Sequence, residues 1–130
     1  MKIVVGYDGS NSSKEALRVA RRHALAFKAA VDIVTSMEKG TEQEQQAIED
    51  AERGLEWAKT MFEEQKVACR THLLIRGMAP GEDLVDFARE SQADMVVVGV
   101  KRRSKMGKLL MGSTAQYVVL QAPCPVMTVK

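Results

Sequence analysis

The chain has 130 residues, 45% hydrophobic and 28% charged, which suits a single domain over 1–130 with a core of its own. Nineteen basic residues against 17 acidic ones leave a formal charge of +2, which excludes a globally basic polyanion binder. No apolar run approaches the roughly 20 residues of a membrane-spanning helix, and Cys69 and Cys124 lack metal-type spacing.

Lys2 to Tyr7 reads as a buried strand that starts without a signal-peptide layout. Buried, reduced thiols and this opening point to a cytoplasmic setting. Asp8-Gly9-Ser10 forms the next turn. Ser12 and Glu15 match a capping box, which predicts a helix from Ser12 to about Lys28 with Leu17, Ala20, Ala24 and Phe27 on its apolar face. Val31 to Met37 is a second strand, and Gly40-Thr41 breaks the pattern. A long charged helix follows from Glu42 to about Lys66, with Ile48, Ala51, Leu55, Ala58 and Phe62 on one stripe. Trp57 falls off that stripe, as a half-exposed or contact residue would.

Val67 to Ile75 is a third strand, and Pro80 suits the first turn of a helix whose apolar face carries Leu84, Phe87 and Ala88. Met95 to Val98 is a short β-branched run ended by Gly99. A loop with five cations follows: Lys101, Arg102, Arg103, Lys105 and Lys108. Gly112-Ser113 opens the last helix, to Gln121, with Ala115, Val118 and Val119 as its buried stripe. Pro123-Cys124-Pro125 stops it, and Val126 to Val129 is a fifth strand.

Five strands alternating with four helices predict a doubly wound α/β fold, a five-stranded parallel sheet with helices on both faces. Such sheets bind ligands at the carboxyl ends of the strands, where the winding reverses. If the first and fourth strands are neighbours, Asp8 and the segment from Gly99 to Ser113 face one crevice. A strand, a cationic loop and a glycine-led helix start suit a phosphate chain, because free N–H groups and the helix dipole favour an anion there. The ordinary alternatives are a solvated strand-loop-helix connection, and a turn or capping role for Asp8.

Catalytic signatures are sparse. His23 lies on a charged helix face and His72 within a strand, and no nucleophile elbow, Walker lysine motif or metal-ligand cluster is present. The basic run is short and has only Tyr117 nearby, which disfavours a nucleic-acid surface. Val126 to Val129 is an apolar sheet edge of the kind that pairs with another strand.

Three stretches resemble the universal stress protein family: Ile3 to Ser10, Val98-Gly99 to Gly112-Ser113, and Ala122-Pro123-Cys124-Pro125-Val126. The resemblance covers nearly the whole chain and implies a Rossmann-like fold of the adenine nucleotide alpha-hydrolase-like kind. The family's nucleotide-binding branch carries Gly-x2-Gly-x9-Gly-Ser/Thr; Gly99, Gly112 and Ser113 match it, whereas Arg102 replaces the second glycine. The resemblance implies that Asp8 holds ribose hydroxyls, that its neighbours Tyr7 and Gly9 and the region of Val34 border adenine, and that Gly99, Gly112, Ser113 and Thr114 line the phosphates. Arg102 either folds over a triphosphate or points to solvent.

The function implied is an ATP-binding stress-response sensor or regulator, with Mg2+ accompanying the nucleotide and slow hydrolysis at most. Nucleotide state would be signalled through a homodimer joined along Val126 to Val129 to a protein partner that the sequence does not name. The alternatives are a scaffold of the same family without nucleotide, and an RNA binder using Lys101 to Lys108.

Overall fold

The computed structural model describes residues 1–103, 107 and 109–130, without the side chains of 101–103, 109 and 110. The chain runs β1 (Lys2–Gly6), α1 (Asn11–Phe27), β2 (Ala30–Met37), a 3-10 turn (Glu42–Glu44), α2 (Gln45–Glu63), β3 (Cys69–Ile75), α3 (Pro80–Glu90) and β4 (Met95–Gly99). It continues through β5 (Lys101–Arg103), β6 (Leu109–Met111), α4 (Ser113–Gln121) and β7 (Val126–Val129).

The main sheet has the order β3-β2-β1-β4-β7 and is parallel throughout. Beginning at the central β1, the chain winds outward to β2 and β3. It then crosses to the far side of β1 for β4 and β7, so the winding reverses between β1 and β4.

Both faces of this sheet are covered, which is why its central strands are apolar at consecutive positions rather than alternate ones. Ile3, Val5, Ile33 and Val97 pack under Ala16, Leu17 and Ala20 of α1 and Leu55, Ala58 and Phe62 of α2. Val4, Val34, Val96 and Val98 pack under Leu84, Val85 and Ala88 of α3 and Ala115 and Val118 of α4. Each such aliphatic side chain contributes roughly 1.5–3 kcal/mol by leaving water. Among the described residues no helix is long and apolar enough to cross a membrane.

Several local features differ from the sequence reading. The cap of α1 is Ser10, not Ser12: Ser10 Oγ accepts the Ser13 N–H at 3.2 Å. Ser12 is buried inside the first turn, and Glu15 pairs with Arg18 on the surface instead of reaching back. Phe27 is 61% exposed, because Lys28 adopts a left-handed cap (φ 54°) that turns the chain into β2 before the last turn reaches the core.

In α2 the buried stripe is confined to Leu55, Ala58 and Phe62, and Ile48 and Ala51 are only partly covered. Val119 on α4 is exposed rather than buried. The basic stretch, expected to be a loop, contains an antiparallel pair, β5 with β6, in which Arg102 faces Leu110 in register. Gly107 lies in the connection with φ +78°, a conformation that suits glycine. Lys105 and Lys108 lie outside the described residues, as do the side chains of Lys101, Arg102 and Arg103.

Candidate functional site

A crevice of about 150 Å³ opens at the carboxyl ends of β1 and β4, where the winding reverses. That volume is of the order that accommodates one aromatic ring. Its lining divides by chemistry. Val34, Pro80, Leu84 and Val98 form an apolar end with Ser36 among them, and Asp8, Ser10, Ser13, Gly99 and Thr114 supply polar groups and open backbone.

Asp8 follows β1 at a turn that Gly9 makes with φ +84°. The Ser10 N–H donates to Asp8 Oδ1 at 2.9 Å, and the Asp8 N–H donates to Ser13 Oγ at 3.3 Å. Burial pushes the Asp8 carboxyl up, but hydrogen bonds from Ser10 and Ser13 outweigh it and leave the pKa below its ordinary value. A carboxylate already ionised and tethered to the start of α1 can accept two hydroxyl donors from a ligand.

Tyr7 is held to β2 from both sides of its peptide. Its N–H donates to the Val34 carbonyl at 2.9 Å, and the Thr35 hydroxyl donates to the Tyr7 carbonyl at 2.7 Å. The ring belongs to the core under α1 and α2 and stacks on Trp57 at 6.3 Å, against Gly54. Trp57 is thus half exposed and a packing partner at once. Burial, then the neighbouring Asp8 charge, raises the Tyr7 pKa.

Gly99 has a structural cause of its own. A Cβ at that position would stand 2.6 Å from the Ser12 carbonyl carbon and 2.7 Å from its oxygen. Strand β4 and the first turn of α1 therefore meet backbone to backbone, and no side chain fits between them. Helix α4 is preceded by Gly112, which has no side chain to cap it. The first-turn N–H groups of α4 consequently have no capping partner from that residue, and Thr114 lies on the crevice wall.

The structure therefore gathers Tyr7, Asp8, Val34, Gly99 and Thr114 in one crevice. Gly9 lines an adjoining groove between the strand ends and α2, together with Thr35, Met37 and Asp50. Gly112 and Ser113 are at the start of α4 but outside the lining. The side chain of Arg102 is outside the described residues.

Sequence reasoning missed Gly6, Ser10, Ser13, Ser36, Pro80, Leu84 and Val98 of the lining. Ser36 was within reach, since it shares a strand face with Val34 two residues earlier. Leu84 reads from sequence only as a core residue. His72 bonds Asp32 at 2.8 Å beside Phe87, and His23 bonds the Val19 carbonyl at 3.1 Å; neither lines the crevice. Among the described residues, no group of three or more His, Cys, Asp or Glu is arranged to hold a metal ion. Cys69 and Cys124 are partly buried and unbridged.

Sheet order and crevice define a doubly wound, Rossmann-like α/β protein with an open crevice at its switch point. Residues 1–130 match the model of the universal stress protein family. The universal stress protein MJ0531 of Methanocaldococcus jannaschii is 33% identical, over 99% of this chain and 81% of its own length. A universal stress protein structure from Archaeoglobus fulgidus aligns with a TM-score of 0.91 at 37% identity, covering 100% of this chain and 98% of that one. The universal stress protein from Archaeoglobus fulgidus solved in complex with dAMP aligns at 0.84 and 33% identity, with the same coverage of 100% and 98%. The chain belongs to the universal stress protein family.

Proposed function

We propose that the protein binds an adenine nucleotide in the crevice between β1 and β4 and serves as a nucleotide-dependent regulator. The observation that carries this reading is one crevice in which apolar side chains (Val34, Pro80, Leu84, Val98) converge with the tethered carboxylate of Asp8. The dAMP complex of the 33% identical relative supports the same ligand class.

In this reading the base lies against Val34, Leu84 and Pro80, with the backbone of Tyr7 and Gly9 at its border. Asp8 accepts the sugar hydroxyls. The phosphates run past Gly99 toward the start of α4, where Gly112, Ser113 and Thr114 offer N–H and hydroxyl donors. Arg102 adds a guanidinium to the outer phosphates. ATP with Mg2+ is the physiological ligand proposed, in a cytoplasmic homodimer joined along β7, with the nucleotide state passed to a partner protein.

Titration calorimetry with AMP and ATP tests the reading. Asp8→Asn removes one charge-assisted acceptor, about 1.5–3 kcal/mol, so affinity for both nucleotides is expected to fall roughly 10- to 150-fold. Unchanged affinity in Asp8→Asn, or no binding by the parent protein, contradicts it. A scaffold that has lost nucleotide would carry none after purification and show no heat.

A further inference from the structure

Asp83 on α3 has no exposed surface, and its carboxylate is bound from two other parts of the chain. Arg76, just beyond β3, donates from Nε to Asp83 Oδ1 at 2.5 Å and from Nη2 to the Asp83 carbonyl at 3.3 Å. Arg76 Nη1 also holds both carboxylate oxygens of Glu90, at 3.2 and 3.0 Å, at the far end of the same helix. Ser36 Oγ occupies the other Asp83 oxygen, Oδ2, at 2.7 Å. Among the described residues every buried side-chain polar atom has a partner, so this chain of bonds is complete without a ligand.

The polarity of the Ser36 bond follows from its partner. A carboxylate paired with a guanidinium only accepts, so the serine must spend its single proton on Asp83. What remains on Ser36 Oγ is lone pairs. Ser36 lines the crevice on the strand face it shares with Val34, beside Pro80 and Leu84. It is thus the polar side chain of the apolar end, and it is fixed as an acceptor.

We propose that Ser36 sets base specificity at this site: its oxygen accepts the 6-amino N–H of adenine and disfavours purines with a 6-oxo group. Asp83, held by Arg76, is the positioning residue that fixes the hydroxyl in this role. The proposal rests on the adenine-nucleotide reading above. A 6-oxo purine sets one acceptor against another at this point, and the serine has no proton left to relieve the contact.

The test compares AMP with IMP by titration calorimetry on the full chain. The parent protein is expected to bind AMP about tenfold more tightly, the cost of leaving two acceptors facing each other unsatisfied. Ser36→Ala should bring the AMP-to-IMP ratio close to one, and Ser36→Thr, which keeps the hydroxyl, should retain the preference. Asp83→Asn, where it folds, should relax the preference while leaving Ser36 in place. Equal affinity of the parent for AMP and IMP, or an unchanged ratio in Ser36→Ala, overturns the proposal. Both of those outcomes leave the nucleotide reading standing, because AMP still binds. Failure of the parent to bind either nucleotide removes that reading, and this proposal with it.

Discussion

The start of α1 keeps Asp8 ionised at the mouth of the crevice. Its folded pKa lies below the ordinary carboxylate value, so its contribution to stability is present above the unfolded value and is lost as pH falls through the folded one. Thermal unfolding of the parent and Asp8→Asn should therefore differ by a constant amount above about pH 5 and converge as acidification protonates the folded-state carboxyl. A difference that instead grows on acidification contradicts the assignment. Gly99 acts through what it lacks. Gly99→Ala drives a methyl into the Ser12 backbone, which neither element can yield cheaply, and overpacking of this kind costs about 1–3 kcal/mol. A fall of several degrees in Tm is expected. An unchanged Tm would mean that β4 and α1 are farther apart in solution.

At the scale of elements, the first turn of α1 joins fold and site. Ser10 caps the helix with its side chain and supports Asp8 with its N–H. Ser10→Ala should lose about 1 kcal/mol of stability in denaturant titration, as a lost N-cap does. The Ser10 hydroxyl is also foremost among the hydrogen bonds that lower the Asp8 pKa, so without it Asp8 should titrate closer to its ordinary value, which carboxylate NMR can follow. Ser12 looked the better cap in sequence because Glu15 stands three residues on, but burial against Gly99 claims Ser12 first.

The β5–β6 pair was illegible for a related reason: five cations and a glycine outweighed the apolar Leu109-Leu110-Met111 in the reading of that stretch. Helix α3 shows the limit of pattern reading most clearly. Asp83 and Glu90 look like ordinary polar positions, and the link from Asp83 to Ser36 spans 47 residues. Only the folded chain brings that pair together.

For the molecule as a whole, the fold was the most legible property. β-branched runs at Ile3, Val31 and Val96 separated by helical stripes leave little choice but a parallel sheet, and β1 and β4 are indeed neighbours. That single adjacency converts Asp8, Val34, Gly99 and Thr114 from scattered residues into one crevice. The sheet also ends at β7, which pairs with β4 on one side and is an edge on the other. Its residues Val126, Met127 and Val129 are only partly covered. A second copy pairing along this edge is expected to give a dimer at micromolar concentration by light scattering, and Val129→Lys should yield monomers. A monomeric parent, or a Val129→Lys variant that stays dimeric, moves the contact elsewhere.

The central claim is that an adenine nucleotide occupies the switch-point crevice with its sugar on Asp8. A crystal structure of the protein grown with excess ATP and Mg2+ tests it most directly. The account predicts the base against Val34 and Leu84, a sugar hydroxyl within hydrogen-bond distance of the Asp8 carboxylate, and phosphates directed at the start of α4. An empty crevice, or a nucleotide bound with its sugar away from Asp8, would contradict it.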